Sequence, residues 1–533
     1  MRIGRSPAID TLSPHIKFVL ADDWREDSLR TVPADSCVQT AEEKDRQSRR
    51  ESQQPFHQHL GSYFSPAQEK SMPLEAAGYV TDVPYVWTFI PDLAPAWLDH
   101  VALVSGFAPP SRDQKFAWCD LGCGQGLTAA ILAATHPAGR FCGIDLMAAH
   151  IESARRLAAE SGIENVEFHA ADFAAAIETD FGGFDYIVAH GIYSWVDEQT
   201  RSALRRFIDR HLRPGGLAYI SYYAMPGRAA DLPVQRLART LGLTFSGDSA
   251  ARCASAIEIV NRLTELQAPA LVGSPMAVHL NEHFWRADRA RNTDADLAYL
   301  SHELMSEHWQ PLCVTDVRAA MRTIGLSPAG STKLVENYDS FVLGEAARKV
   351  LATIADVDAR ELARDFLIDQ FFRHDVFIRR GRALDESERR AQLLTGCFAL
   401  TRPVSEIAYQ MQTPAGQLRY DNGIARNIVA AVAGGPRVLA DICTECELPP
   451  QDAVANALVL SAAGVLRPVE RNWSAVGDLN EAIGRRNLRY RALPCGTALL
   501  IDDDALLAAT RGGHVAKNEG ERKWRDFLAQ YGL

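Results

Sequence analysis

The 533-residue chain has no uninterrupted apolar run of the roughly eighteen residues that a membrane-crossing helix needs. Its first residues also lack the apolar core of a secretory signal, because Phe18-Val19-Leu20-Ala21 is cut short by Asp22-Asp23. A surplus of positive charge is missing too: 56 Lys and Arg stand against 67 Asp and Glu, a formal net charge of −11. That balance argues against a strongly basic nucleic-acid surface. Cysteine is sparse, with ten in the chain, and Cys443 and Cys446 have a two-residue gap but no second pair to complete a zinc ribbon. Histidine motifs for metal are equally incomplete. His279 and His283 lie a helical turn apart, yet no glutamate follows the first, and no third ligand is evident. His302-Glu303 opens like a zinc-protease helix, but Ser306 stands where its second histidine belongs. These absences lead to the expectation of a cytoplasmic protein with reduced thiols, no membrane span, no metal centre and no nucleic-acid partner.

What is present reads as a globular chain of about three domains. Its residues are 47% hydrophobic and 23% charged, enough to bury real cores. Residues 1–71 are the exception. Runs such as AEEKDRQSRRESQQ cannot bury enough apolar surface to offset their ordering entropy, so this stretch is expected to be a disordered extension. Met72 is accordingly a candidate start of translation. From residue 116 to about 225, short apolar runs alternate with helical stretches: strands near 116–121, 140–144, 166–169, 184–189 and 217–222, with helices near 127–135 and 148–161. Strands separated by helices of that length predict βαβ units and a parallel sheet. The fold class is therefore α/β, with a doubly wound Rossmann-like sheet over 72–232. A mainly helical domain is expected over 233–390. Residues 391–533 carry helix, turn, longer helix and trailing strand signals that predict a winged-helix-like region. With an acidic chain, such a unit packs against protein rather than reading DNA.

The chemistry is concentrated in residues 120–126, Asp-Leu-Gly-Cys-Gly-Gln-Gly, where a buried strand hands over to a helix. Gly122, Gly124 and Gly126 let the backbone turn tightly and let a ligand approach it closely. In open α/β sheets, ligands bind outside the carboxyl ends of the strands, where this loop lies. A dinucleotide fingerprint wants its third glycine at the sixth position of the motif, which here is Leu127, and the glycine falls one place early. The motif also opens on Asp120, which repels a pyrophosphate and suits a cationic ligand. The loop alone leaves both a dinucleotide and the sulfonium methyl donor S-adenosyl-L-methionine open. Asp145, about twenty residues on, ends the next strand and can accept both ribose hydroxyl protons. Asp172-Phe173 ends the third strand, where a carboxylate can accept from an adenine amino group and a ring can pack on the base. Each aspartate alone could equally be a helix cap. Three acids at successive strand ends favour the methyl donor.

At this point the chain resembles class I S-adenosylmethionine-dependent methyltransferases, and more closely those bacterial ones that carry a methyltransferase regulatory domain. That group includes protein-lysine methyltransferases acting on outer-membrane proteins. The likeness rests on YVTDVPYVWTFIPDLAPAWLDHVALVSGFAPP from Tyr79, FDYIVAHGIYSWV from Phe184, RPGGLAYISYYAMPG from Arg213, YLSHELMSEHWQPLCVTDVRAAM from Tyr299, and LVENYD from Leu334. It implies that Gly122, Gly124 and Gly126 cradle the methionine part of the cofactor and that Asp145, with Leu146 beside it, holds the ribose. Asp172 and Phe173 would frame the adenine, His190-Gly191 would flank the sulfonium, and Tyr85 would help close the site. Two residues depart from the group's pattern: Tyr223 replaces a frequent Asn, and Arg228 a frequent Trp.

Methyl transfer needs an in-line approach of a nucleophile to the sulfonium carbon, so positioning and exclusion of water carry much of the acceleration. A lysine acceptor must be neutral, and an apolar aromatic rim favours that form. Ile192-Tyr193-Ser194-Trp195 is the candidate rim. The alternative reading places Tyr193 and Trp195 in the core. His190 is a candidate base or a loop-fixing residue. The expected function is methylation of a protein side chain, lysine foremost. The alternatives are a small-molecule methyltransferase and a cofactor-binding regulator without turnover. The sequence leaves oligomeric state and acceptor identity open.

Overall fold

The computed structural model describes residues 18–19, 75–76, 78–111, 115–281, 294–471, 474–501 and 519–531. Apart from Phe18 and Val19, which pair antiparallel with Leu418 and Gln417, the expected disordered extension lies outside the described residues. Among the described residues no helix is long and apolar enough to cross a membrane.

A seven-stranded sheet organises the molecule. In chain order its strands are β1 (Phe116–Leu121), β2 (Gly139–Asp145), β3 (Val166–Ala170), β4 (Phe184–Ala189), β5 (Leu212–Tyr223), β6 (Leu326–Ser331) and β7 (Phe372–Arg379). Their spatial order is β3-β2-β1-β4-β5-β7-β6. The pairings among β1 to β5 are parallel, and β7 runs antiparallel to both of its neighbours. Every residue of β1 is buried, as a strand covered on both faces requires. Alternate side chains then serve two cores. Phe116, Trp118, Phe141 and Tyr186 face α1 (Pro95–Val104), α2 (Leu127–Thr135) and α3 (Ala148–Glu160). Ala117, Cys119, Cys142 and Ile187 face α4 (Phe173–Ile177) and α5 (Glu198–His211).

The sheet does not end at residue 232. The region read as mainly helical does supply α6 (Leu232–Gly242), α7 (Ser249–Glu265), α8 (Asp294–Met305), α9 (Val314–Thr323) and α10 (Val357–Ile368), but it also supplies β6 and β7. Both strands were disguised. Strand β6 carries Pro328 and Gly330, residues that a sheet tolerates at an edge. In β7, the alternation is broken by Arg373 and Asp375, both buried. Arg373 is tied to Asp365 (2.5 Å), Glu361 (2.8 Å) and Asp375 (3.0 Å), while the Tyr222 hydroxyl donates to Asp375 at 2.7 Å. The cluster fastens α10 to the sheet.

Beyond β7, α11 (Glu386–Leu394) leads to β8 (Cys397–Leu400), which is flanked by the strands Arg437–Val438 and Leu466–Pro468. Between β8 and the strand Leu466–Pro468 lie the helices Gly423–Val432, Leu439–Glu445 and Pro450–Ala462. The strand after the helices pairs with β8, which precedes them in the chain, rather than with a returning wing strand. This region shares its apolar core with α1. Arg467 pairs with buried Asp92 at 2.9 Å and lies 4.2 Å from the ring centre of Trp97. Lys333 reaches the same carboxylate at 3.1 Å, and the two cations hold Asp92 well below the ordinary carboxylate range.

Removing one partner from a buried ionic cluster strands the others without compensation. Arg373→Ala is therefore expected to cost about 3–5 kcal/mol of stability. Denaturant melts of the two proteins would read this as a lower midpoint, whereas an unchanged midpoint would show the cluster to be energetically idle.

Candidate active site

The glycine loop is built by the register of β1 against β2. Gly122 and Cys123 both donate their N–H groups to the Ile144 carbonyl, at 2.8 and 3.1 Å, which holds the turn over the end of β2. Gly126 caps α2 with a φ of 76°, and a Cβ there would sit 2.6 Å from the Ala154 methyl and 2.7 Å from the Phe168 ring. Only glycine meets both demands. At Gly124 a Cβ would meet nothing within 4 Å, so the backbone lies open to whatever enters.

Asp145 closes β2 and locks this loop. Its carboxylate accepts the N–H of Gly124 and of Met147, each at 2.9 Å, and the His150 Nδ1 lies 3.1 Å away. The Tyr85 N–H donates to His150 Nε2 at 2.9 Å. Nε2 is thereby the acceptor of the ring, and the Nδ1 proton faces Asp145. Gln125 then donates to the Tyr85 carbonyl at 2.6 Å, and Thr128 to the Thr88 carbonyl at 3.2 Å. The segment ahead of the sheet is thus stitched over the loop by its own backbone. From the other side, His302 Nε2 donates to the Val83 carbonyl at 2.9 Å.

Loop and covering segment enclose a cavity of about 440 Å³. Of the residues singled out in the sequence, Tyr85, Asp120, Gly122, Gly124, Gly126, Asp145, His190, Gly191 and Trp195 line it. Four others do not. Leu146 turns outward and is 42% exposed. Asp172 caps α4, accepting the Ala175 N–H at 2.7 Å, and Phe173 is buried in the core below. Tyr193 is a correction to the expected rim. Its ring sits in the core of the opposite face, and Arg205 donates to its hydroxyl at 2.7 Å. The tight turn from Ile192 to Trp195, closed by a 2.9 Å backbone bond, sends Ile192 and Trp195 into the cavity and Tyr193 away.

Sequence reasoning missed most of the far wall. Tyr79, Tyr299, His302, Glu303, Phe372 and His374 also line the cavity, and they come from the covering segment, α8 and β7. The His302-Glu303 pair had drawn attention only as a failed metal motif. Tyr223 and Arg228, the two departures from the group's pattern, prove to be one unit. The Arg228 guanidinium lies 4.3 Å from the Tyr223 ring centre and is paired at 2.6 Å with fully buried Asp231. The Tyr223 hydroxyl donates to Glu303 at 2.7 Å.

The electrostatics divide the cavity. Burial and the nearby Asp145 charge push Asp120 up to about 8. Burial pushes His190 down to about 4, so it is a neutral ring near pH 7 and a weak proton acceptor. The Tyr219 hydroxyl lies 2.9 Å from Nδ1 of both His190 and His374 and bridges the two rings by hydrogen bonds. His374 is pushed down to about 3 by burial.

These contacts fit S-adenosylmethionine: an open glycine backbone, a strand-end carboxylate for the ribose, and a buried acid for the positive end. Asp145→Ala removes charge-assisted bonds worth about 1.5–3 kcal/mol, so S-adenosylhomocysteine affinity should fall roughly 10- to 100-fold in calorimetry. Unchanged affinity would remove Asp145 from the site. Asp120 generates a second expectation. Below about 8 it is mainly protonated in the free protein, and an arriving cation lowers its pKa and drives the proton off. At pH 7.5, titrations in buffers of different ionisation enthalpy should show S-adenosylmethionine releasing up to roughly three-quarters of a proton more than S-adenosylhomocysteine, a difference that Asp120→Asn abolishes.

Residues 112–264 match the family of methyltransferase domains, and residues 296–379 match a predicted methyltransferase regulatory domain. The second match contains β6 and β7, and so covers two strands of the sheet that holds the cavity. An uncharacterised protein of Synechocystis is 32% identical over 365 residues, spanning 68% of this chain and 71% of that protein. Trans-aconitate 2-methyltransferase of Azoarcus is 35% identical over 120 residues, 22% of this chain and 42% of that protein. Among solved structures, PKMT2 from Rickettsia typhi in complex with AdoHcy is similar in fold, with a TM-score of 0.60, 18% identity, and coverage of 84% of this chain and 97% of that one. With both domains matched in order around one cavity, the chain belongs to the S-adenosylmethionine-dependent methyltransferases that carry a methyltransferase regulatory domain.

Proposed function

We propose that this methyltransferase modifies lysine side chains of proteins in the cytoplasm. The observation that carries the reading is the acceptor end of the cavity, where Trp195, Tyr223, Tyr299 and Phe372 line a largely aromatic wall. A lysine in water at pH 7 is neutral in only about one molecule in 2,500. Aromatic walls that exclude water favour the neutral amine, which is the form that can attack a methyl carbon. The similarity in fold to PKMT2, a protein lysine methyltransferase by name, supports the same reading.

The main rival is a small carboxylate acceptor, as the name of trans-aconitate 2-methyltransferase indicates for that relative. A polycarboxylate needs an uncommitted cation to receive it. Arg228, the arginine among the cavity-lining residues, is committed to Asp231 at 2.6 Å and stacked on Tyr223. That favours the amine. The helical and C-terminal regions are proposed to recognise the protein that presents it. A regulator without turnover is the remaining alternative.

Incubation of the enzyme with methyl-tritiated S-adenosylmethionine and bacterial extract should label protein bands, and acid hydrolysis of those bands should yield methyl-lysine. Label confined to small metabolites would overturn the protein reading. Binding of the cofactor without any labelled product would favour the regulator.

A further inference from the structure

Glu303 stands on α8, 5% exposed, and faces the cavity. It accepts the Tyr223 hydroxyl at 2.7 Å, and Tyr299, one helical turn back, also hydrogen-bonds to it. Among the described residues no basic side chain forms an ion pair with Glu303. Arg228 acts on it from beyond the Tyr223 ring, but its ion pair is with Asp231. The titratable groups around it are neutral near pH 7. Burial pushes Tyr79, Tyr85 and Tyr223 upward, the Glu303 charge and then burial raise Tyr299, and burial pushes His302 down to about 4. The carboxylate is thus buried, hydrogen-bonded by phenols and, among the described residues, short of a counter-ion of its own. Burying a charge in that way is costly unless a partner arrives to pair with it.

We propose that Glu303 is the group that receives the acceptor's ammonium and takes its proton. This rests on the lysine reading given above. The lysine enters as –NH3+ and pairs with the carboxylate. One Nζ–H bond then breaks, its proton passes to a Glu303 oxygen, and the nitrogen keeps the electron pair. That pair forms the new N–C bond to the methyl carbon as the C–S bond breaks, its electrons remaining on sulfur as a neutral thioether. The product leaves as a methylated ammonium, and Glu303 returns its proton to solvent. Burial already holds Glu303 above the usual glutamate range, which brings it closer to the amine in basicity. His190, with Nδ1 engaged by Tyr219 and little basicity left, is poorly suited to the task.

The test combines binding with a pH profile in Glu303→Gln and Glu303→Asp. Both variants should bind S-adenosylhomocysteine within about twofold of the parent, which shows that the fold and the cofactor end survive. Titrated into the S-adenosylhomocysteine complex at pH 7, n-butylammonium should bind the parent at least tenfold more tightly than Glu303→Gln. Equal affinity, or binding to neither, overturns the proposal. In the labelling assay, the parent rate should fall as pH drops through the Glu303 ionisation. Glu303→Gln should be slow at pH 7 and gain about tenfold per pH unit toward the lysine's own ionisation near 10.4. Glu303→Asp should keep the parental shape at a lower rate, and it replaces Glu303→Gln in every arm if the amide does not fold. A loss independent of pH marks a structural role and overturns the proposal. If n-butylammonium binding depends on Glu303 but no methyl-lysine is found in any protein, the lysine reading falls and the ammonium site stands.

Discussion

The arrangement of the glycine-loop end of the cavity hangs on the carboxylate of Asp145. It ends β2, accepts the backbone of the glycine loop at Gly124, and faces His150, whose other nitrogen accepts the backbone of Tyr85. One side chain therefore joins the sheet, the loop and the covering segment in a single relay of hydrogen bonds. A loop with three left-handed glycines has many conformations open to it, and this relay selects the one that leaves Gly124 bare toward the cavity. The same acid charge helps keep Asp120 protonated in the free protein, so the two aspartates are tuned against each other across the space a cation would fill.

The opposite end of the cavity follows a different logic. Its walls come from elements far apart in sequence: the covering segment, the turn after β4, the end of β5, α8 and the start of β7. Tyr223 is the hinge of that assembly, with its ring under Arg228 and its hydroxyl on Glu303. The second match to a family, the regulatory domain, contributes Glu303 on α8 and Phe372 and His374 on β7. In this chain the domain named regulatory is part of the wall of the cavity and of the sheet beneath it.

The glycine-loop end of the cavity was legible in sequence because its constraints are local. A strand, a glycine turn, a helix and an acid at the next strand end must follow one another at near-fixed spacing, and residues 116–145 do so. The family motifs extended that reading to Tyr85, His190 and Gly191. The far wall of the cavity was not legible, because nothing in residues 299–303 announces that α8 will be folded over the sheet. Strand β7 was hidden for a related reason: burying Arg373 and Asp375 requires partners on α10 and β5 that no local pattern reveals. The rim shows how fine the remaining ambiguity is. Tyr193 and Trp195 are two residues apart, and one turn closed at Ile192 decides that the second faces the cavity while the first does not.

The contact between Arg467 and Asp92 bears on how this chain can be divided. Asp92 lies in the short 3-10 turn Pro91–Leu93 that leads into α1, and its neighbours Ile90 and Leu93 line the cavity. Arg467 belongs to the C-terminal region, more than 370 residues away. Ending the chain near residue 390 would leave that carboxylate with Lys333 as its remaining counter-ion and would bare the Trp97 ring face. The C-terminal region is thus a buttress of the catalytic part rather than an appendage. The smallest useful unit of this enzyme is set by its electrostatics, not by the borders of its matched domains.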